Sequence, residues 1–209
     1  MPDWKIENEY QGFVCGIDEA GRGPWAGPVV AGAAIFLTHN VSEELLAKLD
    51  DSKKLSAKKR EYLYEILRQE EQAGNVLCGI GEASAAEIDE YNILQATFMA
   101  MRRAVAQLEQ SPNMALIDGN RLPKDFPCAN ACFIKGDGRS YSIAAASILA
   151  KVYRDRLMSE MAKQYPHYGF EKNAGYGTKA HIEGLRQYGV TPQHRRSYRP
   201  IKEFLATGK

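Results

Sequence analysis

The sequence contains no apolar run that approaches the length of a membrane span, which needs about 20 consecutive apolar residues. Its first nine residues, MPDWKIENE, form a polar segment without the hydrophobic stretch of a secretory signal. We therefore expect a cytoplasmic protein with no membrane partner. The 209 residues also contain no internal repeat and no low-complexity tract. This predicts one domain spanning 1–209, in which about 200–209 form a C-terminal tail or a short helix.

Cysteine and histidine are both scarce. No two of the four cysteines have the CxxC spacing, and the four histidines show no metal-ligand spacing beside them. This pattern argues against the usual structural zinc sites. It predicts reduced thiols and assigns no catalysis to histidine. The cysteines are Cys15, Cys78, Cys128 and Cys132.

Net charge is only +1, so it does not by itself indicate a nucleic-acid partner. Its distribution along the chain is more informative. Residues 1–50 hold three Lys/Arg and eight Asp/Glu, a net of −5, whereas residues 151–209 hold twelve and five, a net of +7. An acidic first part and a basic last part suit a metal site that faces a polyanion. An uneven but ordinary surface charge is the alternative.

Five apolar segments predict strands, and the stretches between them predict helices. Serine at positions 56 and 84 and threonine at 178 are typical helix N-caps. The order of elements predicts an α/β fold, a mixed five-stranded sheet flanked by helices, with polar strand ends gathered on one side. The predicted strands are 13–17, 28–37, 76–80, 114–117 and 131–134. The predicted helices are 57–72, a short one from 85, 93–108, 141–165, 179–188 and a loosely docked one from 201.

Carboxylates follow three of the five predicted strands: Asp18 and Glu19 the first, Asp118 the fourth and Asp137 the fifth. Carboxylates placed together raise one another's pKa, and a divalent cation removes that penalty. Oxygen ligands without cysteine or histidine favour Mg²⁺ or Mn²⁺ over Zn²⁺. Two such ions, typically about 3.5–4 Å apart, can activate a water and stabilise the leaving oxygen of a phosphodiester. The alternative is solvated charge at ordinary strand ends.

A glycine-rich loop lies directly beside the first two acids. Gly21 and Gly23 flank Arg22, and Pro24 closes the loop. Because glycine lacks a Cβ, the backbone of such a loop can approach a ligand closely. The arrangement suits a phosphate-bearing ligand, although a plain glycine turn would have the same composition.

Several motifs occur in a specific order along the chain. Together this ordered set resembles bacterial ribonuclease HII, the type 2 ribonuclease H, from about residue 13 to residue 203. The motifs are GIDEAGRGP (16–24), DSKKL (51–55), IDG (117–119), KGD (135–137), AAASILAKV (144–152), GY (175–176) and HRRS (194–197).

The resemblance implies a ribonuclease H-like fold and a hydrolase, a metal-dependent endonuclease acting on RNA–DNA hybrids. It also implies incision 5′ of a single ribonucleotide in duplex DNA, the chemistry of ribonucleotide excision repair. The implied cofactors are two Mg²⁺ or Mn²⁺ ions, and the implied oligomeric state is a monomer. A contact with a replication clamp is left open. The implied catalytic and metal-binding acids are Asp18, Glu19, Asp118 and Asp137.

The resemblance also assigns a substrate-binding set. Backbone groups of Gly21, Arg22 and Gly23 would sense the ribose 2′-hydroxyl, which can donate and accept a hydrogen bond. Tyr176 would stack on the sugar of the following deoxynucleotide, so that a junction with DNA is recognised. Lys53, Ser147 and Lys151 are further candidates for substrate contact.

Two other interpretations concern charged residues. Asp155 competes with Asp137 as the fourth acid, but its position in a helix, four residues after Lys151, favours an ion-paired structural role. The basic group Arg195, Arg196 and Arg199 predicts a surface that follows a nucleic-acid backbone, and an ordinary solvated face is the alternative.

Two alternative functions remain at this point. One is a DNA nuclease or strand-transfer enzyme with a related acid-bearing sheet. The other is a binding module for hybrids that has no catalysis. The intact set of acids favours an enzyme over the binding module.

Overall fold

The computed structural model describes residues 1–49 and 55–207. Its five strands form one sheet in the order β3-β2-β1-β4-β5. Strands β1, β2 and β3 are antiparallel neighbours, while β4 and β5 run parallel to β1. The predicted mixed five-stranded sheet is therefore confirmed. The strands are β1 Val14–Ala20, β2 Val29–Phe36, β3 Val76–Ala83, β4 Met114–Asp118 and β5 Ala129–Phe133.

Within the described residues, seven α-helices flank this sheet, and the predicted N-caps begin three of them. The hydroxyls of Ser56, Ser84 and Thr178 each accept a hydrogen bond from a backbone N–H in the first turn. No described helix has both the length and the apolar character needed to cross a bilayer. The helices are α1 Glu43–Lys48, α2 Ala57–Gln72, α3 Ala85–Ala106, α4 Tyr141–Gln164, α5 Phe170–Asn173, α6 Lys179–Tyr188 and α7 Arg199–Thr207.

Several elements differ from the sequence predictions. Helices α1 and α5 were not predicted, because four to six residues carry too little periodicity. Helix α3 joins the two predicted helices across a kink at Asn92, which has φ 66° and whose side chain accepts from the N–H of Leu94. The predicted loosely docked C-terminal helix is α7, and it is anchored by the fully buried Ile201. Lys53 lies outside the described residues.

The first strand is longer than predicted, so Asp18 and Glu19 lie inside β1 rather than after it. The physical reason is that β1 has two different neighbours. Its pairing with β4 ends at Ile17, whereas its pairing with β2 continues to Ala20. The acids are thus held by the sheet on one side and open on the other.

Alternation along the strands divides the core into two layers. Val29, Ala33 and Ile35 of β2 pack in the cluster that includes α3. Ala34 packs in the cluster on the other face, with α2 and α4. Because side chains in a strand point alternately to the two faces, each strand supplies residues to both layers.

Helix α4 lies unusually close to the sheet. A Cβ on Gly16 would lie 2.0 Å from the carbonyl carbon of Ser142, and one on Gly32 would lie 2.2 Å from the carbonyl oxygen of Ala146. The alanines 144–146 facing the sheet are fully buried. Glycine in the strands and alanine in the helix therefore set a short helix–sheet distance, which brings Ser147 to the acids.

We predict that Gly32→Ala forces α4 away from the sheet, because backbone atoms of α4 occupy the position of the added methyl group. Overpacking of this kind should lower the free energy of unfolding by about 2 kcal/mol or more. Urea denaturation measures the change. Gly138→Ala is the matched control, since no atom lies within 4 Å of its added Cβ. Equal stability of the two variants would contradict the prediction.

Candidate active site

Three carboxylates from different elements meet at one edge of the sheet. Side-chain oxygens of Asp18, Asp118 and Asp137 all lie within 4.8 Å of one another. The parallel pairing of β1 with β4 ends at Ile17 and Ile117, so Asp18 and Asp118 occupy the next position on each strand. Asp137 comes from the 3-10 turn that follows β5. Parallel neighbours therefore place acids from distant parts of the chain side by side.

The turn that carries Asp137 is folded back toward the sheet. Lys135 begins it in the left-handed conformation, with φ 56° and ψ 42°. The N–H of Gly136 then donates to Oδ1 of Asp118 at 2.7 Å. Behind the turn, the buried carboxylate of Glu7 accepts from the Ser140 hydroxyl at 2.7 Å and from the N–H of Ser142 at 2.9 Å. The start of α4 is thereby fixed, and with it the position of Asp137.

Asp18 lies in an unfavourable electrostatic environment. It is only 3% exposed, and burial raises its pKa well above the ordinary value, with further contributions from the nearby Glu19 and Asp118 charges. Hydrogen bonds from the Ser147 hydroxyl and from the N–H of Glu19, at 2.7 Å, oppose that increase in pKa. The carboxylate is therefore held in place but is costly to ionise without a cation.

These residues fit a divalent metal ion. The group consists of carboxylate oxygens alone, and within the described chain no histidine or cysteine joins it. Oxygen ligands of this kind suit Mg²⁺ or Mn²⁺. A cation here would also remove the repulsion that raises the pKa of Asp18.

Glu19 occupies a different position from the other three acids. Successive side chains in a strand point to opposite faces, so Glu19 does not point the same way as Asp18. Its carboxylate accepts from Nη1 of Arg22 at 3.2 Å, and its charge still contributes to the raised pKa of Asp18. The structure thus groups three of the four predicted acids and places Glu19 beside them.

Arg195 clamps the glycine loop from the inside. Its guanidinium donates to the carbonyl oxygens of Gly21 at 2.5 Å, Arg22 at 2.8 Å and Gly27 at 2.9 Å. The prediction of a surface role for Arg195 is wrong, because its side chain is fully buried. Arg196 and Arg199 are exposed as expected.

Arg154 of α4 completes this clamp. It donates to the carbonyl oxygens of Pro28 at 2.9 Å, Ala174 at 3.0 Å and Ala26 at 3.3 Å. Burial, together with the nearby Arg195 charge, lowers the pKa of Arg154 to about 10. A buried cation is costly unless its donors are satisfied, and here carbonyl oxygens satisfy them. The loop is therefore built around two guanidinium groups.

Tyr176 lies directly against the loop. A Cβ on Gly23 would come within 3.3 Å of its Cε1, while the side chain remains 53% exposed. Trp25 joins the glycine loop to the segment that carries Tyr176. Its backbone N–H donates to the carbonyl oxygen of Gly175 at 2.8 Å, and its indole ring covers Gly177. The predicted loop and the predicted stacking residue are thus neighbours.

The other predicted substrate contacts lie along α4. Ser147 is buried and hydrogen-bonds Asp18. Lys151 forms an ion pair with Oδ1 of Asp155 at 2.6 Å, and Arg60 approaches Oδ2 of the same carboxylate at 3.5 Å. Asp155 is therefore ion-paired and does not belong to the three-carboxylate group.

Sequence reasoning missed Glu7 and Arg154. A weak signal existed for Arg154, since Ala150 and Met158 lie four residues to either side of it and form one helical stripe. A charged residue in a buried stripe indicates a hydrogen-bonded role. Glu7 has no comparable signal, because its partners lie more than 130 residues away.

Comparison with known proteins gives one consistent result. The family model described as Ribonuclease HII matches residues 15–201. Ribonuclease HII of Gluconobacter oxydans (strain 621H) is 55% identical over 205 residues, which cover 98% of this chain and 97% of that protein.

Solved structures agree on the fold. Ribonuclease H2 from Pyrococcus horikoshii OT3 matches with a TM-score of 0.73 and 27% identity, covering 92% of this chain and 96% of that chain. Bst-RNase HIII in complex with Mn²⁺ matches with a TM-score of 0.67 and 17% identity, covering 94% and 70%. The predicted ribonuclease H-like fold is confirmed.

We predict that Asp18→Asn stabilises the metal-free protein at neutral pH. Folding raises the pKa of this acid, so its charged form opposes folding at any pH above its ordinary value of 3.8. Removing the charge should increase the free energy of unfolding at pH 7 by about 1–3 kcal/mol. The gain should shrink as the pH falls toward about 4, where the native carboxyl is protonated too. Urea denaturation in EDTA measures both values.

Asp125→Asn is the control for this comparison, because Asp125 is exposed and outside the cluster. Added Mn²⁺ should stabilise the unmodified protein more than the Asp18→Asn variant. An Asp18→Asn variant less stable than the unmodified protein in EDTA at pH 7 would contradict the prediction.

We predict that Arg195→Lys destabilises the protein, since an ammonium group cannot serve three carbonyl oxygens in the geometry of the guanidinium fork. The free energy of unfolding should fall by about 2–4 kcal/mol. Arg196→Lys, at the exposed neighbouring position, should change it by less than about 0.5 kcal/mol. Thermal or urea unfolding of both variants tests this, and equal effects would show that the clamp does not stabilise the fold.

Proposed function

The chain belongs to the ribonuclease HII family of metal-dependent ribonuclease H hydrolases, and from that premise we propose that it cleaves RNA–DNA hybrids and incises 5′ of single ribonucleotides in duplex DNA. The products would be a 3′-hydroxyl and a 5′-phosphate. The observation that carries the proposal is the position of the glycine loop. Gly21 follows Asp18 by three residues, so recognition and chemistry would take place on one continuous segment.

Asp18, Asp118 and Asp137, with Glu19 beside them, would hold two divalent ions, Mg²⁺ or Mn²⁺. Such ions would supply electrostatic stabilisation of a phosphodiester and activation of water. The protein's own contribution is to keep the carboxylates fixed through Ser147 and Gly136.

The clamp also determines which loop atoms would face the substrate. A peptide unit is planar and trans, so its carbonyl oxygen and its N–H point in opposite directions. Since the carbonyl oxygens of Gly21 and Arg22 point inward to Arg195, the N–H groups of Arg22 and Gly23 point outward. These donors would bind the ribose 2′-hydroxyl, which distinguishes a ribonucleotide from a deoxynucleotide.

Tyr176 would recognise the neighbouring nucleotide. Its half-exposed ring lies next to Gly23, so a sugar stacked on it would adjoin the nucleotide held by the loop. Lys53, Lys151, Arg196 and Arg199 would contact phosphates, which position the duplex without reading its sequence. Ser147 would act near the scissile phosphate through Asp18. We propose a monomer that works in the cytoplasm.

The test is cleavage of a DNA duplex with one ribonucleotide, compared with the same duplex in which only the 2′-hydroxyl is missing. We expect Mg²⁺- or Mn²⁺-dependent incision 5′ of the ribonucleotide, and product mapping of both ends shows the cut position. Asp118→Asn should reduce kcat by about 10³-fold or more. Asp125→Asn should retain normal kcat.

Each alternative outcome has a clear meaning. Equal cleavage of the all-DNA duplex would indicate a DNA nuclease. Binding of the ribonucleotide duplex without metal-stimulated turnover would indicate a binding module. Either result would overturn the proposal.

A further inference from the structure

Two histidines far apart in sequence form a buried pair behind the loop. Nε2 of His181 lies 2.9 Å from Nε2 of His194. His181 is fully buried and His194 is 1% exposed. Neither residue belongs to the carboxylate group, and the sequence assigns no function to either.

The hydrogen-bond partners determine where each proton lies. The backbone N–H of Thr191 can only donate, and it is 3.0 Å from Nδ1 of His194, so that nitrogen carries no proton. His194 must then be protonated at Nε2 and donate to Nε2 of His181. His181 is left with its proton on Nδ1, which donates to the carbonyl oxygen of Tyr176 at 3.0 Å. The result is a directed chain of neutral groups from Thr191 to Tyr176.

This chain joins the two parts of the proposed recognition site. At one end it holds the backbone of Tyr176. At the other end, His194 immediately precedes Arg195, whose guanidinium clamps Gly21 and Arg22. The segment around His194 is also paired with the loop. The backbone N–H of Gly27 donates to the carbonyl oxygen of Gln193, and the backbone N–H of Arg195 donates to the carbonyl oxygen of Trp25. The histidine pair thus sets the separation between Tyr176 and the loop.

The surroundings favour the neutral pair. Aromatic rings of Trp25, Tyr168 and Phe170 pack against the imidazoles. The titratable residue that packs against both imidazoles is Tyr168, whose hydroxyl donates to the carbonyl oxygen of Gly189 at 2.8 Å. Burial lowers the pKa of His181 and, with His181 adjacent, lowers that of His194 to about 4. A second proton on either ring would bring two N–H donors face to face.

We propose that His181 and His194 are positioning residues that fix Tyr176 relative to the Gly21–Gly27 loop and thereby set the affinity for the ribonucleotide–DNA junction. This inference rests on the proposed function. Neither histidine touches the substrate. Their effect on the reaction acts through the backbone of Tyr176 and through Arg195.

The test compares two substitutions at one position. His181→Phe keeps an aromatic ring but removes both hydrogen bonds, whereas His181→Asn places an amide N–H near the position of Nδ1, from which it can still donate to the carbonyl oxygen of Tyr176. With the single-ribonucleotide duplex, His181→Phe should raise KM about tenfold with little change in kcat, and His181→Asn should recover most of that loss. His167→Phe is the control, because His167 is exposed and stacks on Tyr188 outside the pair.

A double-mutant cycle separates positioning from general damage to the fold. If His181 acts through Tyr176, then His181→Phe should add little to the KM of Tyr176→Ala. Fully additive effects would overturn the positioning role. Nitrogen-15 NMR of the unmodified protein at pH 7 provides a test that needs no variant. It should show a proton on Nε2 of His194 and on Nδ1 of His181. Any other tautomer would contradict the hydrogen-bonded chain from Thr191 to Tyr176.

The failure of the inference is distinct from the failure of the proposed function. An unmodified protein that does not cut the ribonucleotide duplex would overturn the proposed function and the positioning role together. Normal cutting with an unchanged KM in His181→Phe would overturn the positioning role alone.

Discussion

The site depends on two buried guanidinium groups whose partners are backbone carbonyl oxygens. Arg154 and Arg195 are 1% and 0% exposed, and both donate into the segment between β1 and β2. A glycine-rich loop left to itself has many conformations of similar energy. Here the carbonyl oxygens cannot turn outward without leaving a buried cation unsatisfied, which is a large penalty. The loop is therefore rigid although its composition is flexible, and its outward N–H groups are fixed before any ligand arrives.

Unlike the loop, whose buried contacts stabilise it, the group of acids costs stability. Burial raises the pKa of Asp18, so ionising its carboxyl costs free energy, and the charges of Glu19 and Asp118 add repulsion. The sheet tolerates this because β1, β4 and β5 are joined, and the turn after β5 is closed, by backbone hydrogen bonds that do not involve the acidic side chains. The close packing of α4 at Gly16 and Gly32 adds the Ser147 hydroxyl. The packing of the sheet against α4 thus offsets the unfavourable free energy of the acidic group. Functional sites commonly hold such costs because the surrounding structure compensates for them.

Local sequence patterns predicted the strands and the helix caps, but they could not predict contacts between residues far apart in the sequence. The strands, the N-caps at Ser56 and Ser84 and the grouping of Asp18 with Asp118 follow from periodicity and from parallel pairing. The burial of Arg195 does not, because its carbonyl partners are more than 160 residues away and its neighbour Arg196 is exposed. The histidine pair was missed for a related reason. Its 13-residue spacing matches no metal motif, and its role depends on the proton positions that Thr191 and Tyr176 impose.

The C-terminal segment, rather than the sheet, decides how the loop is presented. Asp89 at the start of α3 accepts from the backbone N–H groups of Arg196 and Ser197 at 2.8 Å. Arg195 therefore enters the loop from a segment that is itself anchored, and His194 connects that segment to Tyr176. The acids are placed by β1, β4 and the turn after β5, and α4 adds the Ser147 hydroxyl. The proposed recognition of a single hydroxyl would need more, since an error of about 1 Å in a donor position weakens a hydrogen bond severely. The long-range contacts of the segment from Thr191 to Tyr198 would supply that accuracy.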